Sequence, residues 1–332
     1  MTFDRQPLFA LAALGLSLLL SQPVAAQEWP SKQAIRVIVP YPAGGNADSG
    51  ARAIAEVVSK NINQSIIVDN RPGASSIIGT DAVAKAPTDG YTIGIVSDSH
   101  AINHVMAKLP KGADILGARV PYDALRDFAP IAGMIQVPLV LVVHPKVQAR
   151  NVKELVALSM SKSTGMNFGT MGPGSPWFIH MHQLNNLTQG AFVDVPYRGL
   201  APAAIDLLAG QIDTMVMPVH YAQQHIRAGK LIALATMGAQ RHPLLPEVPT
   251  LGEAGYPGLV VSNYLYFVAP AGTPQVVVDR LSRDINAALR TPAMREKLLT
   301  SGDPYPAEPA ELSARLRRDL DAYGAVIQAT IK

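Results

Sequence analysis

The chain has 332 residues, a formal net charge of +3, 16% charged residues and no cysteine. Without cysteine there is no disulfide, no thiol nucleophile, no thiolate-bound zinc and no lipid carried on a Cys at a cleavage site. The sparse, nearly balanced charge argues against nucleic acid, which needs a concentrated basic face.

At the N-terminus Arg5 precedes an apolar run from Leu8 to Leu20, and Val24-Ala25-Ala26 places small residues before Gln27. This pattern reads as a secretory signal peptide over residues 1–26, cleaved after Ala26, with an uncleaved anchor as the alternative. Its apolar core is shorter than the roughly 20 residues that span a bilayer. About 300 residues remain, which suits two domains better than one. A free periplasmic protein is expected.

Ile35 to Val39 is a β-branched apolar run typical of a buried strand. Pro40 and Pro42 stop it, and Gly44-Gly45 allow an unusual turn. Ala51, Ile54, Ala55 and Val58 then repeat at i, i+3, i+4 and i+7, the period of a helix. Asn46 is the expected N-cap, and Asp48 falls in the first turn, where a negative charge suits the helix dipole. Such a strand, turn and helix start aims free N–H groups outward, and anions bind there. Gly45 and Gly50 have P-loop spacing, but Ala51-Arg52 stand where Lys and Ser/Thr are required, and GxGxxG is missing.

Ile66 to Val68 predicts a second strand, Asp69 to Gly73 a turn, Ala74 to Ala86 a helix and Thr92 to Val96 a third strand. This alternation is the rhythm of a parallel sheet with crossover helices. Ser97-Asp98-Ser99-His100 follows at the same sheet edge as Gly44-Gly45, the edge where ligands bind in open sheets. Ser97 and Ser99 are therefore candidate ligand contacts, or caps of the next helix.

Ile131 to Val143 is nearly continuous in apolar residues and predicts a strand crossing into a second domain. There the rhythm restarts, with strands at Asn167–Thr170, Phe192–Pro196, Thr214–Met217 and Leu231–Thr236. Gly172-Pro173-Gly174-Ser175-Pro176 repeats the opening device, with Ser175 an N-cap and Pro176 at the first helical position. The nucleophile pattern GxSxG is absent, so the Ser175 hydroxyl binds an oxyanion or simply caps. Tyr197-Arg198-Gly199 forms another loop before a helix, and Arg198 could pair with a carboxylate or be solvated. After the proline-rich Arg241–Gly258 connection, a strand over Leu259–Val268 and helices at Pro274–Arg290 and Pro309–Ile331 return to the first domain. Two α/β lobes with a cleft between them result: residues 27–128 with 245–332, and an inserted lobe of residues 129–244.

His180 and His182 lie two apart on a helix and point to nearly opposite sides, against a shared metal. His220 and His225 have no ligand spacing. Trp177 is either core or an aromatic wall of the cleft.

The mature chain resembles the Bug-type receptors of tripartite tricarboxylate transporters. The resemblance is carried by VPYPAGG with Asp48 and Ala51-Arg52, VDNRPGASSIIG, DGYTIG, YDALRDFAPI, GPGSP, VPYRG, AGQID, AGKLIALA, RHPLLPEVPTLGEAGYPG and APAGTP, in that order. It implies a two-lobed periplasmic binding protein-like α/β fold that closes on a small carboxylate and delivers it to membrane transporter subunits. The ligand would lie between Tyr41–Gly45 and Gly174-Ser175. The full set of expected contacts is Tyr41, Ala43, Gly44, Gly45, Asp48, Ser97, Ser99, Thr170, Gly174, Ser175, Tyr197 and Met217. No catalytic residue, metal, cofactor or nucleic acid is expected, and a monomer is. A sensor without transport, or a hydrolase, is the alternative. Three departures stand out: Ser75-Ser76 replace the usual paired glycines, Met217 stands where many members carry an acid, and Trp177-Phe178 enlarge a helix start. The last two lean towards a non-amino carboxylate, aromatic ones included.

Overall fold

The computed structural model describes residues 29–257, 259–261 and 263–330. The expected signal peptide, residues 1–26, lies outside them. The chain opens on β1 (Ile35–Val39), α1 (Asn46–Ile62), β2 (Ile66–Asn70), α2 (Ile77–Ala84), β3 (Thr92–Ser97), α3 (Ser99–Met106) and the short α4 (Gly112–Leu116). Next come β4 (Phe128–Val137), β5 (Leu139–Val143), α5 (Val152–Ser161), β6 (Met166–Thr170), α6 (Pro176–Thr188) and β7 (Phe192–Pro196). α7 (Leu200–Leu208), β8 (Thr214–Pro218), α8 (Val219–Arg227) and β9 (Ile232–Thr236) follow. The chain ends with β10 (Asn263–Pro270), α9 (Gln275–Leu289), α10 (Pro292–Lys297), β11 (Asp303–Pro304) and α11 (Pro309–Thr330).

Two sheets result, ordered β11-β4-β10-β3-β1-β2 and β7-β6-β8-β5-β9. β1 pairs in parallel with β2 and β3, and β6 pairs in parallel with β7 and β8, as the alternating rhythm predicts. The sheets are nevertheless mixed. β10 is antiparallel to β3 and β4, and β5 is antiparallel to β8 and β9. The reason is connectivity: each is the first long strand after the chain passes between the sheets, and no crossover helix reverses it.

That reversal orients the whole molecule. β4 runs into the crossing at Pro138, and β1 and β3 run in the same direction as β4. β5 runs out of the crossing, so β6, β7 and β8 all run back towards it. The carboxyl edges of both sheets therefore converge on the junction and face one another. The return passage lies beside the first, because Met237 N donates to Leu139 O at 2.9 Å and Val261 N to Met237 O at 2.8 Å.

Packing follows the patterns in the sequence. Ala51, Ile54, Ala55, Val58 and Ile62 of α1 are buried against the first sheet. All five residues of β5 are buried, as in a central strand covered on both faces. One continuous apolar cluster runs from Ile35, Val37 and Ile93 through Val137 and Leu139 to Phe168 and Val216, joining the sheets at the junction. Two local details differ from expectation. Gly45, in extended conformation, is the N-cap of α1, and Asn46 is its first residue. α2 begins at Ile77 because Ala74, Ser75 and Ser76 have φ of 47°, 50° and 74°, outside the helical region.

Candidate functional site

At the first sheet's carboxyl edge, the turn after β1 is locked by a short relay. Gly44, at φ 81°, can adopt a left-handed angle that other residues resist. Its N–H donates to Asp48 Oδ2 at 2.9 Å, and Arg52 Nε donates to Asp48 Oδ1 at 2.9 Å. Arg52 also donates to Asn70 Oδ1, and Asn70 Nδ2 donates to Tyr41 O. Burial works to raise the Asp48 pKa, but the Gly44 amide, Arg52 and Asn70 together hold it below the usual carboxylate range. Asp48 is thus directed at its own turn. Ala43, Gly44 and Gly45 form the exposed tip, and the first-turn amides of α1 have no intrahelical acceptor.

Beside this turn, Tyr41 and Ser97 are brought together: the phenol donates to Ser97 Oγ at 2.6 Å. Ser97 Oγ also accepts from Ser99 N at 3.2 Å, so both serines are buried at the start of α3. Burial pushes the Tyr41 phenol above its ordinary pKa, with the Ser97 bond opposing, so it stays a neutral donor. Ser97 accepts two bonds and retains its own proton to donate.

At the facing edge, Thr170 Oγ1 donates to Asp194 Oδ1 at 2.6 Å and accepts from Gly172 N at 3.0 Å. Tyr197 N donates to Thr170 O at 2.8 Å, joining the loops after β6 and β7. The Tyr197 hydroxyl is taken by Asp206 at 2.7 Å, and burial followed by that carboxylate pushes its pKa up to about 12. Ser175 caps α6. Its Oγ accepts from Phe178 N at 3.3 Å and donates to Gly172 O at 2.6 Å. The hydroxyl proton is therefore spent on its own turn. Met217 is fully buried in an apolar cluster with Val140, Val142, Met215 and Val219. Arg198 is exposed.

Gly174 approaches the first lobe at the turn before α2 and at α3. A Cβ added there would sit 2.6 Å from Ser75 Cβ and 2.7 Å from Asn103 Oδ1, both on the first sheet's side. Asn103 is fully buried. Its Nδ2 donates to Ser75 O at 2.9 Å, and its Oδ1 has no partner among the described residues. Asn103 was not singled out in the sequence, although it lies one helical turn after Ser99 on the same face. Trp177, in the first turn of α6, packs against the continuous apolar cluster, and its buried indole N–H has no acceptor among the described residues. Phe178 and Ile179 join a second cluster with Ile102, Tyr266, Tyr323 and Ile327, and α6 packs on α11 across the cleft. His180 and His182 do face different partners, Tyr323 and the Phe168–Phe178 pair.

Two α/β lobes whose carboxyl edges face one another across an interdomain cleft have the architecture of a periplasmic binding protein. Residues 50–331 match the tripartite tricarboxylate transporter family receptor, and the chain belongs to that family. Protein BugT of Bordetella pertussis is 33% identical, over 96% of this chain and 97% of its own length. Among solved structures, Rpa4515 of R. palustris with adipate has a TM-score of 0.81 at 28% identity, covering 91% of this chain and 98% of its own. MatC (Rpa3494) from Rhodopseudomonas palustris with bound malate has a TM-score of 0.79 at 27% identity, covering 90% and 99%. This family consists of small-molecule-binding receptors and not of enzymes.

Proposed function

We propose that this protein is a periplasmic receptor that holds a small, non-amino dicarboxylate between its lobes, closes on it by hinge motion and delivers it to a tripartite tricarboxylate-type transporter. The observation that carries this reading is the contact of Gly174, just before α6, with Ser75 and Asn103 of the first lobe, on the same sheet edge from which α1 starts. A helix N-terminus favours an anion, so two opposed ones suit the two ends of a dicarboxylate. Adipate and malate, held by the two solved relatives, belong to that class.

The proposed contacts divide by what each group can still offer. The Ala43 and Gly45 amides, the first-turn amides of α1, the Ser97 hydroxyl, and the amide and indole of Trp177 provide donors, while the Gly44, Ser175 and Phe178 amides are spent within their own turns. Asp48, Thr170, Tyr197 and Ser175 fix the turns that present them, and Tyr41 with Ser99 fixes Ser97. Met217, buried among apolar side chains, provides no anion for an ammonium group, which supports a non-amino ligand. The hinge lies at Val137-Pro138-Leu139 and along the return passage. Lobes of residues 27–128 with 245–332 and of residues 129–244 fit this division, except that β4 belongs with the first sheet. Residues 1–26 would direct export and be removed.

Calorimetric titration with malate, adipate and glutamate tests the reading, and Gly174→Ala tests closure. Gly174 has no positive φ, so the added methyl is tolerated by its own turn and collides only across the cleft. A dicarboxylate should bind and raise Tm with concentration. Gly174→Ala should weaken that binding about tenfold or more, about 1.4 kcal/mol, while leaving the unliganded Tm within a few degrees. Equal affinity in the variant would show that this contact is not part of the bound form. Binding of glutamate in preference to malate would remove the non-amino assignment.

A further inference from the structure

His220, His242 and Asp303 are far apart in sequence, and their spacing gave no sign of a shared role. The fold brings them together at the hinge. His220 is in the first turn of α8, whose first residue, Val219, donates its N–H to Pro138 O at 2.9 Å. His242 lies in the connection after β9. Asp303 is in β11 and pairs in register with Gln136 of β4, so it belongs to the other sheet.

His220 Nε2 is 3.7 Å from Asp303 Oδ1, and His242 Nε2 is 3.5 Å from Asp303 Oδ2. One ligand atom from each residue lies within 4.8 Å of the others. Two atoms sharing a tetrahedral zinc at about 2.0–2.2 Å are separated by about 3.3–3.5 Å. The two histidine–carboxylate spacings are long for hydrogen bonds and close to those of a shared ion, and the cluster would close from its 4.8 Å span to hold one. A second observation points the same way. The His220 side chain is 3% exposed, and neither ring nitrogen has a hydrogen-bond partner among the described residues. The Leu299 backbone and Asp303 lie beside the ring without meeting hydrogen-bond geometry, and a buried imidazole left so is costly, a cost that a metal would remove. Two imidazoles and one carboxylate are also a donor set that suits zinc and leave a fourth position open.

We propose that His220, His242 and Asp303 form a binding site for a divalent transition-metal ion, zinc above all, which ties α8 of the inserted lobe to β11 of the first lobe. His242 Nδ1 accepts from Leu244 N at 3.2 Å, so the Nε2 proton must move to Nδ1 as the metal binds, giving up that contact. The cluster is separate from the turns that receive the carboxylate, so the site stands independently of that ligand.

The test is titration of the mature, metal-free protein with Zn²⁺ by calorimetry and with Co²⁺ by visible absorption. One Zn²⁺ should bind per chain, and Co²⁺ should give the intense d–d absorption of a low-coordinate site. Asp303→Asn keeps the side-chain shape and should weaken Zn²⁺ at least tenfold, as should His242→Gln. His225→Gln, on the same helix outside the cluster, should change nothing. Co²⁺ should also shift the ring protons of His220 and His242 in the nuclear magnetic resonance spectrum of the unmutated protein, a reading that requires no variant to fold. Absence of saturable binding, equal affinity in Asp303→Asn, loss in His225→Gln, or cobalt shifts at other histidines would overturn the proposal.

Discussion

Asp98 sits between Ser97 and Ser99, and its carboxylate is held by β10 and α11. Tyr264 N donates to its Oδ2 at 3.3 Å, and the Arg315 guanidinium is 4.0 Å from its Oδ1. Arg315 is shared: its Nε lies 3.2 Å from Asp319, and its guanidinium lies 3.3 Å over the Tyr264 ring. Burial, followed by the Asp319 charge, pushes the Asp98 pKa up to about 8 despite Arg315. A raised carboxyl pKa means that the folded state holds a proton the unfolded chain has lost. Asp98 therefore favours folding below about pH 4, and the contribution is lost as pH rises through about 8. Asp98→Asn keeps the acceptor and removes the charge, and Asp319 keeps Arg315 paired. The variant should gain stability over the parent as pH rises from about 4 to about 8, reaching about 1–3 kcal/mol, measured by urea unfolding across that range. Parallel pH profiles for the two proteins would show that the carboxylate is not penalised by burial.

The turn before α2 is an element whose strain sequence patterning does not show. Ala74, Ser75 and Ser76 are three successive residues with positive φ, and Ser75 presses on Gly174. A non-glycine residue in this region costs about 1–2 kcal/mol, whereas glycine costs about 0.4–1 kcal/mol through the freer unfolded chain. Ser75→Gly should therefore stabilise the protein slightly, raising Tm by about 1–4 °C in calorimetry. A fall would mean that the Ser75 side chain contributes more through its contacts than its backbone costs. The regular elements were legible because period alone reveals them: α1 by its i, i+3, i+4 spacing, β1 and β3 by β-branched runs. The antiparallel insertion of β10 and β5 was not, because direction depends on where the chain re-enters a sheet. Within the site, the two glycine turns could be read as such. What each hydroxyl does could not, since Ser175 donates to Gly172 and Tyr197 to Asp206 only once the loops are folded. Asn103, Ser75 and the His220 cluster act through partners on other elements, and no local pattern encodes those meetings.

For the molecule as a whole, buried titratable groups set a preferred pH. His100, between Tyr122 and Phe128, and His180, on the α6 face towards Tyr323, are both held neutral by burial, which lowers each pKa to about 4. A weak bond from the His100 ring to the Ala124 carbonyl opposes the shift at His100, and Gln183 opposes it at His180. A depressed histidine pKa means that the unfolded chain takes up protons first. The associated stability is complete above about pH 6.5 and is lost as pH falls towards about 4. Over that window each histidine withdraws up to about 3 kcal/mol, and Asp98 returns up to about 3 kcal/mol. His104, His182, His220 and His225 are depressed in the same sense, and only Asp194 and Asp319 join Asp98 on the other side, so acidification destabilises. Above pH 6.5 the imidazoles are silent and the Asp98 penalty grows, so stability declines again. A maximum near about pH 6.5 is the expected result of differential scanning calorimetry. Because His180 lies where α6 meets α11 across the cleft, its protonation should favour separation of the lobes as well as unfolding. His180→Gln should accordingly flatten the acid limb of the Tm profile and of dicarboxylate affinity together. A Tm that holds level or climbs from about pH 6.5 to about 4 in the unmutated protein would mean that these imidazoles are not buried neutral. Flattening of the Tm profile without flattening of affinity would confine His180 to folding and leave closure independent of it.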